Sequence, residues 1–486
     1  MSIERKVFSA LRWATTAKLV VQITSWAGTL VVVRLLSPHD YGLMAKVAVV
    51  CAIASAVAEL GLEAAIVRSA SLPRIEIQKL YGVSLLFGVG MSALVILTSP
   101  LFADLFREPL LRWPIVVASL QIPIVAAAIV PSALWTRDLS FGRLAKIEMI
   151  SGVATILATL ALALFGSGVW ALVLGTLLGT SVRSTGLLIF GQRVSPVFSA
   201  SGIGEHIKFG LTLVGSRVSY FIIVQSDVLI GSRFLSTVQI GQYAVALQLA
   251  TLPMAKVMGT INQIALPAMA RQQDDPARIR QSVLKSLSVI SLIAFPMLWG
   301  ISAVAPELVR TLFGEKWLAA IPALAILPLI VPVRMICSIM FTTSLALGNR
   351  QLDLRNTMAN LIVLPLGFYV GSQWGLIGLC SAWLVSVPLA YSISLRGVLK
   401  RTGIRMRDLV AECGAPAAAA AGMYAAVTGL RMALDKEAPF LALIALSVAG
   451  AVVYFLIMML ISRRHLISAR NFARSLFRRD SSPEAA

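Results

Sequence analysis

The sequence predicts an all-α polytopic membrane protein with about 14 transmembrane helices, arranged as two six-helix bundles followed by two further helices. Composition gives the first reason: 58% of the residues are hydrophobic, only 13% are charged and the mean hydropathy is +0.85. This is more apolar surface than a soluble core of 486 residues needs. An internal repeat gives the second reason.

Apolar runs of roughly 18 to 25 residues, long enough to cross a hydrocarbon core, follow one another along the chain. These runs are continuous and rich in Leu, Ala, Val and Gly. A membrane β-barrel would show short segments of alternating polarity, so the barrel alternative is rejected. The expected spans are 13–34, 43–66, 80–98, 114–135, 148–166, 169–190, 209–231, 241–267, 283–304, 318–347, 356–371, 375–395, 411–430 and 439–461.

The repeat is clearest near the start of each half. Residues 34–42 and 233–241 both read Arg-x-Leu-Ser-x4-Gly, and each copy is preceded at the same distance by a cation, Lys18 or Arg217. Further echoes follow in the same order. Residues 105–108 correspond to 312–315, and 168–172 correspond to 375–379.

Duplicated halves around a central site are a recurrent plan of membrane transporters. Because six is an even number, both bundles should enter the membrane in the same direction, with a transport path between them. We therefore expect an N-terminal lobe over 1–208, a second lobe over 209–400, two appended helices over 401–462 and a basic tail over 463–486.

Charge fixes the expected orientation. With both termini in the cytoplasm, the cytoplasmic segments hold about four times as many Lys and Arg residues as the opposite side. This bias accounts for the net charge of +20 without a nucleic-acid partner. We expect the tail to lie against anionic membrane lipid, the alternative being a solvated disordered segment.

Five cations within the expected spans are candidate substrate contacts: Lys18, Lys46, Arg217, Lys256 and Arg334. A charge inside the membrane costs a few kcal/mol, so it usually faces a partner or water. Intramembrane cations outnumber acids, and a cavity lined by Lys and Arg suits an anion, especially phosphate.

Two acidic residues in the expected spans, Asp227 and Glu59, are candidate sites for a coupling proton or sodium ion. Each charged residue also has a purely structural alternative. Lys18 could extend to the interface or pair with Glu59, while Lys256 and Arg334 could pair with Asp227.

Catalytic chemistry is not expected. The three histidines, His39, His206 and His465, lie in loops or the tail, and the chain has no Gly-x4-Gly-Lys-Ser/Thr phosphate loop. The four cysteines form no CxxC pair and are interpreted as packing residues. We expect neither a cofactor nor a metal, and no cleavable signal peptide.

Five motifs in a fixed order resemble those of the bacterial polysaccharide transporters, the lipid-linked oligosaccharide flippases of the colanic acid and exopolysaccharide type. The similarity covers roughly residues 10 to 400. In order, the motifs are Leu36-Ser37-Pro38-x-Asp40-Tyr41-Gly42-Leu43-Met44, Glu59-Leu60-Gly61-Leu62, Asp227-Val228-Leu229-Ile230-Gly231, Gly241-x-Tyr243, and Ala305-Pro306-Glu307-Leu308 with Phe313-Gly314-Glu315-Lys316-Trp317.

This resemblance implies two lobes in a V around a central cavity that opens alternately to each side, a fold shared with multidrug exporters and the peptidoglycan lipid flippase. It also implies an oligosaccharide on undecaprenyl pyrophosphate as substrate, the bacterial inner membrane as location, and polysaccharide polymerase and export machinery as partners. Lys46 departs from the small or apolar residue expected at this place in the family, which makes it a candidate substrate-specific contact.

Three other functions compete with this interpretation. A cation-coupled multidrug exporter should present acids rather than cations to its substrate. A membrane-embedded polymerase or ligase would favour a large polar outer loop, which this chain lacks. An assembly scaffold is the third alternative.

Overall fold

The structure is a computed structural model that describes residues 27–68, 72–138, 140–199, 201–270, 275–347, 350–433 and 438–462. In these ranges every regular element is a helix. Eleven of the described helical segments are long and apolar enough to cross a membrane. The prediction of an all-α polytopic membrane protein is therefore confirmed.

The helices divide into two compact units, Met1–Gly241 and Gln242–Ala486. The first unit contains α1 (27–35), α2 (Pro38–Ala58), α3 (Leu62–Arg68), α4 (Arg74–Leu105), α5 (Arg112–Ser119), α6 (Gln121–Arg137), α7 (Phe141–Leu164), α8 (Val169–Phe190), α9 (Gly204–Phe234) and the start of α10 (Thr237–Ala270). The second contains the rest of α10, then α11 (Pro276–Ala303), α12 (Ala305–Leu308), α13 (Ile321–Ala346), α14 (Arg350–Ser372), α15 (Gly375–Thr402), α16 (Met406–Ala433) and α17 (Pro439–Ile461).

Each of the 11 apolar segments coincides with one predicted span. Of the other three predicted spans, 13–34 lies mostly outside the described residues, while 241–267 and 356–371 fall within α10 and α14. The total of 14 spans stays a prediction, as does the lobe boundary after residue 208.

Both copies of the Arg-x-Leu-Ser-x4-Gly motif end one helix and begin the next. Ser37 caps α2: its hydroxyl oxygen accepts from the Asp40 N–H at 3.2 Å, and the Asp40 carboxylate accepts from the Ser37 N–H at 2.9 Å. Ser236 and Gln239 repeat this reciprocal arrangement at the start of α10, at 3.3 and 3.0 Å. A capping box satisfies two helix N–H groups that would otherwise lack partners.

The later echoes share an unusual backbone conformation. Arg107 and its counterpart Gly314 have φ of 50° and 88°, and Gly168 and Gly375 have φ of 54° and 69°. The left-handed region is uncommon for residues other than glycine, so its recurrence at matching positions is informative. The two halves thus share a positive φ at these turns as well as sequence.

The two motif copies also contact each other through their glycines. A Cβ atom on Gly42 would lie 1.8 Å from the carbonyl oxygen of Thr237, and one on Gly241 would lie 1.7 Å from the carbonyl oxygen of Pro38. These separations are far too short for a carbon atom. The first turns of α2 and α10 therefore meet backbone to backbone, which only glycine permits.

The predicted span 43–66 is divided into α2 and α3. Leu60 and Gly61 adopt φ of 47° and 61°, which ends the α-helix and starts a new one. Helix α9 closes against this break, because a Cβ atom on Gly210 would lie 2.0 Å from the Leu60 carbonyl oxygen. The sequence predicts the span but not its interruption.

The predicted span 114–135 is likewise divided, between α5 and α6. Pro123 has no backbone N–H to donate to the carbonyl of Ser119, four residues earlier. In a continuous helix its ring would also clash with that carbonyl. The hydroxyl of Ser92 on α4 donates to that carbonyl at 3.1 Å. A side chain thus replaces the missing backbone donor at this bend.

Apolar clusters hold each unit together. In the first unit, Val47, Leu111 and Ile115 form part of a buried cluster that joins α2, the turn after α4, and α5. In the second unit, Val427 and Leu446 join α16 and α17 to the end of α11. The two C-terminal helices are therefore packed onto the second unit.

The glycine contact gives a stability prediction. Gly42→Ala and Gly241→Ala should each destabilise the protein by about 1–3 kcal/mol, because the added methyl overlaps a carbonyl oxygen. Gly90→Ala in α4 meets nothing within 4 Å and is the matched control. The control should be unchanged or stabilised, since alanine favours helix. The measurement is the thermal unfolding midpoint of each of the three full-length variants in detergent. If Gly42→Ala and Gly241→Ala unfold at the same temperature as Gly90→Ala, the glycine contact is contradicted.

Candidate functional site

An ion pair lies at the break between α2 and α3. The guanidinium of Arg217 donates through Nη1 to Oε2 of Glu59, and both side chains are 33% exposed. Gly210 and Arg217 are two turns apart on α9, so one face of this helix supplies both the close packing at Leu60 and the cation. The structure thus pairs a candidate substrate contact with a candidate coupling residue.

The first unit contains a second ion pair and two exposed arginines. Arg183 Nη2 lies 3.9 Å from Oε1 of the exposed Glu148. Arg34 and Arg233 are exposed at the ends of their helices. An exposed arginine at the end of a membrane helix can extend its charge to the interface.

Asp227 on α9 is buried, with 1% of its surface exposed. Its Oδ1 accepts from the backbone N–H of Val228 at 2.7 Å. Asp227 and Arg217 lie on the same helix about 15 Å apart by helix rise. The Asp227 carboxylate is therefore not part of the Glu59–Arg217 ion pair.

Lys46 is almost completely buried, at 2% exposure. Its Nζ donates to Thr237 Oγ1 at 2.8 Å and lies 6.0 Å from the centre of the Phe106 ring. The hydroxyl of Thr237 donates in turn to Oε2 of Glu108, and His39 Nε2 lies 3.8 Å from the same carboxylate oxygen. The hydroxyl between them thus links a buried ammonium to a carboxylate.

This Lys46–Thr237–Glu108 network adjoins the glycine contact. Lys46 follows Gly42 by about one helical turn, and Thr237 supplies both the carbonyl that Gly42 touches and the hydroxyl that Lys46 binds. The network therefore ties α2, α10 and the turn after α4 together where the motif copies meet. It also gives the lysine a partner in an apolar region.

In the second unit, the guanidinium carbon of Arg334 lies 4.3 Å from the centre of the Trp383 ring. Trp383 is 4% exposed, and its Nε1–H donates to the hydroxyl of the fully buried Tyr243 at 2.7 Å. The ring of Phe368 packs against Trp383 with 4.8 Å between centres. Four helices, α10, α13, α14 and α15, meet in this arrangement.

The remaining predicted contacts are only partly covered by the structure. Lys18 lies outside the described residues, and for Lys256 the structure describes the backbone, within α10, but not the side chain. Sequence reasoning missed Glu108, Thr237 and Trp383 as partners of the buried cations. For Trp383, the sequence offered one signal: an aromatic residue within an apolar span can serve as the partner of a cation.

The described side chains form no recognisable metal site. Across the part of the chain that the structure describes, no three His, Cys, Asp or Glu residues are grouped so that they could hold a metal ion. The charged groups described above are suited to binding and releasing ions by hydrogen bonds and charge.

The helices and their internal echoes define a polytopic helical membrane protein with a duplicated architecture. A solved structure titled "Lipid II flippase MurJ, inward closed conformation" matches with a TM-score of 0.71 at 15% identity, covering 94% of this chain and 99% of that one. This likeness establishes the fold. A family model described as "Polysaccharide biosynthesis protein" matches residues 31–322, and the chain belongs to that family.

Two curated relatives are similar over much of the sequence. The "Lipopolysaccharide biosynthesis protein WzxC" of Escherichia coli (strain K12) is 25% identical over 407 residues, which is 82% of this chain and 83% of the relative. The "Succinoglycan biosynthesis transport protein ExoT" of Rhizobium meliloti (strain 1021) is 28% identical over 302 residues, or 62% of this chain and 61% of the relative.

The buried network gives a second stability prediction. Thr237→Val keeps the side-chain shape but removes the hydroxyl between Lys46 and Glu108, and should cost about 1–3 kcal/mol. Thr237→Ser keeps the hydroxyl and should retain most of the stability. Thr98→Val is the matched control, since within the described part of the chain the Thr98 hydroxyl bonds only to carbonyls of its own helix. The unfolding midpoint in detergent is the measurement, and a Thr237→Val midpoint no lower than that of Thr98→Val would contradict the network.

Proposed function

We propose that this protein moves an oligosaccharide unit linked to undecaprenyl pyrophosphate from the cytoplasmic to the periplasmic leaflet of the bacterial inner membrane. The product would serve exopolysaccharide or lipopolysaccharide synthesis. Membership of the polysaccharide biosynthesis family carries this proposal. The printed names of WzxC and ExoT, a lipopolysaccharide biosynthesis protein and a transport protein, support it.

The charge distribution supports an anionic substrate. A diphosphate that crosses an apolar layer needs cations along its path, because charge–charge interactions are strong where water is scarce. We assign this role to Arg217 and Arg334, with Lys18, Lys46 and Lys256 as further contacts. Arg334 is the clearest candidate, since within the described residues it has no ion pair and no hydrogen-bond acceptor.

The transport cycle would be alternating access. In this proposal two six-helix lobes rock about a central cavity, 14 helices span the membrane, and both termini and the basic tail face the cytoplasm. The fold likeness to the lipid II flippase supports this arrangement. Membrane lipids surround the protein, and polysaccharide polymerase and export machinery would receive its product.

Energy would come from a proton or sodium gradient through Glu59 or Asp227. Glu59 is the better placed of the two, because its carboxylate holds Arg217. Protonation or ion binding at Glu59 would weaken this pair and free the guanidinium for phosphate. The protein itself makes and breaks no covalent bond in this scheme and needs no cofactor.

Complementation tests the proposed substrate. In a bacterium that lacks its own polysaccharide flippase, the wild-type protein should restore surface polysaccharide, and Arg217→Ala or Arg334→Ala should reduce it by about tenfold or more at matched membrane abundance, because a phosphate contact is lost. Arg112→Ala is the control, since among the described residues the side chain of this exposed arginine contacts only the neighbouring Trp113.

The same strains separate the two transport classes. If the wild type fails with every saccharide pathway tried but lowers sensitivity to cationic drugs, the flippase proposal is wrong and the cation-coupled multidrug exporter replaces it. Full restoration by both arginine variants would remove these residues from the substrate path.

Ion coupling is tested in proteoliposomes that contain the full-length protein and a fluorescent polyprenyl-diphosphate saccharide. An imposed proton or sodium gradient should accelerate translocation by wild type. Glu59→Gln should lose this acceleration, because the neutral amide can no longer bind or release the ion. Glu148→Gln, at an exposed carboxylate that also pairs with an arginine, is the control. If Asp227→Asn alone loses the acceleration, coupling belongs to Asp227.

A further inference from the structure

The guanidinium of Arg334 lies over the face of an aromatic ring. The Trp383 indole lies under the guanidinium, with 4.3 Å from the guanidinium carbon to the ring centre. Within the described residues, no carboxylate or hydrogen-bond acceptor contacts the Arg334 N–H groups. The N–H donors of a guanidinium lie in its plane, so a guanidinium parallel to the indole would direct them away from the ring.

We propose that Trp383 and Tyr243 are positioning residues, which hold Arg334 so that its N–H edge binds the diphosphate of the transported lipid. This inference rests on the proposed function. It adds two aromatic residues that do not touch the substrate themselves. Their effect on the substrate passes through the orientation of one arginine.

The indole is itself fixed from two directions. The Tyr243 hydroxyl accepts from its Nε1–H at 2.7 Å, which sets the orientation of the ring about its side-chain bonds. Phe368 packs against it, and Tyr243 and Phe368 are both fully buried. Rotation of Trp383 would therefore break a buried hydrogen bond and disturb close packing.

A fixed guanidinium suits a diphosphate better than a mobile one. A free arginine side chain loses much of its rotational freedom when it binds, and stacking imposes that loss before the substrate arrives. The planar fork then meets two phosphate oxygens at once. A lysine has a charge but neither the fork nor the flat face, so it cannot replace Arg334 in this arrangement.

The arrangement also gives the Gly241-x-Tyr243 motif a role. Gly241 is required for the close approach to Pro38, and Tyr243, two residues later, orients Trp383. One short segment at the start of α10 thus supplies a packing residue and a positioning residue. The hydroxyl of Tyr243, rather than its ring alone, carries the second role.

Binding of undecaprenyl diphosphate and undecaprenyl monophosphate to the purified full-length protein in detergent tests the inference. Wild type should prefer the diphosphate. Trp383→Leu and Arg334→Lys should each weaken diphosphate binding by about tenfold and reduce that preference. Trp383→Phe, which keeps an aromatic face, should retain more affinity than Trp383→Leu. The double variant Arg334→Ala with Trp383→Leu should bind the diphosphate no more weakly than Arg334→Ala alone. Both substitutions act on the same contact, the one between Arg334 and the diphosphate.

Trp113→Leu is the matched control, since Trp113 also carries an arginine over its ring, Arg112 at 5.8 Å, but at an exposed position. Its diphosphate affinity should stay at the wild-type value. The unfolding midpoint of every variant is measured alongside. If Trp383→Leu does not fold, Tyr243→Phe decides: we expect an unchanged midpoint and a loss of diphosphate affinity of about threefold.

Two results would overturn the inference in different ways. If Arg334→Ala loses diphosphate binding while the Trp383 and Tyr243 variants stay within a factor of about two of wild type, the positioning role is wrong and the proposed function stands. If Arg217→Ala and Arg334→Ala both bind the diphosphate as wild type does, the phosphate contacts of the proposed function fail, and this inference fails with them.

Discussion

A polar group that is buried among apolar helices must find a partner, and this requirement shapes the protein wherever a helix bends or carries a charge. At the bend between α5 and α6, Ser92 supplies the donor that Pro123 cannot. Lys46 binds Thr237, and Arg217 binds Glu59. In each case the partner comes from a different helix, so the same bonds that satisfy polar groups also fix how the helices pack.

Arg334 departs from this pattern among the described cations within the apolar helices. Its contact within the described residues is an aromatic face, which attracts the charge and is neither a carboxylate nor a hydroxyl. The difference is functional in our proposal. A carboxylate must be displaced before Arg217 can bind phosphate, whereas Arg334 has no such partner among the described residues. The two arginines would then bind phosphate at different steps of the cycle. Glu59 would control when Arg217 binds it.

The two halves retain a common backbone and differ in chemistry. Both copies cap a helix with serine, and both use the left-handed region at matching turns. The first half, however, interrupts its helix at Leu60 and Gly61, whereas α10 continues from Thr237 to Ala270. Glu59, directly before the interruption, pairs with Arg217. Duplication thus preserves the positions of caps and turns, while single substitutions within the helices decide where the charges lie.

Composition and hydropathy alone determined that the chain is a polytopic helical membrane protein, because length and apolarity of a run are local properties. The repeat was also visible in the sequence, since capping residues and turn glycines act on neighbouring residues. Hydropathy identified Arg217, Arg334 and Lys46 as charges in apolar surroundings. The partners of these charges came only from the tertiary structure. Glu59 and Arg217 are 158 residues apart, and Lys46 and Thr237 are 191 apart. No periodicity or spacing encodes such a contact, because it depends on which helix faces meet and how closely glycine lets them approach.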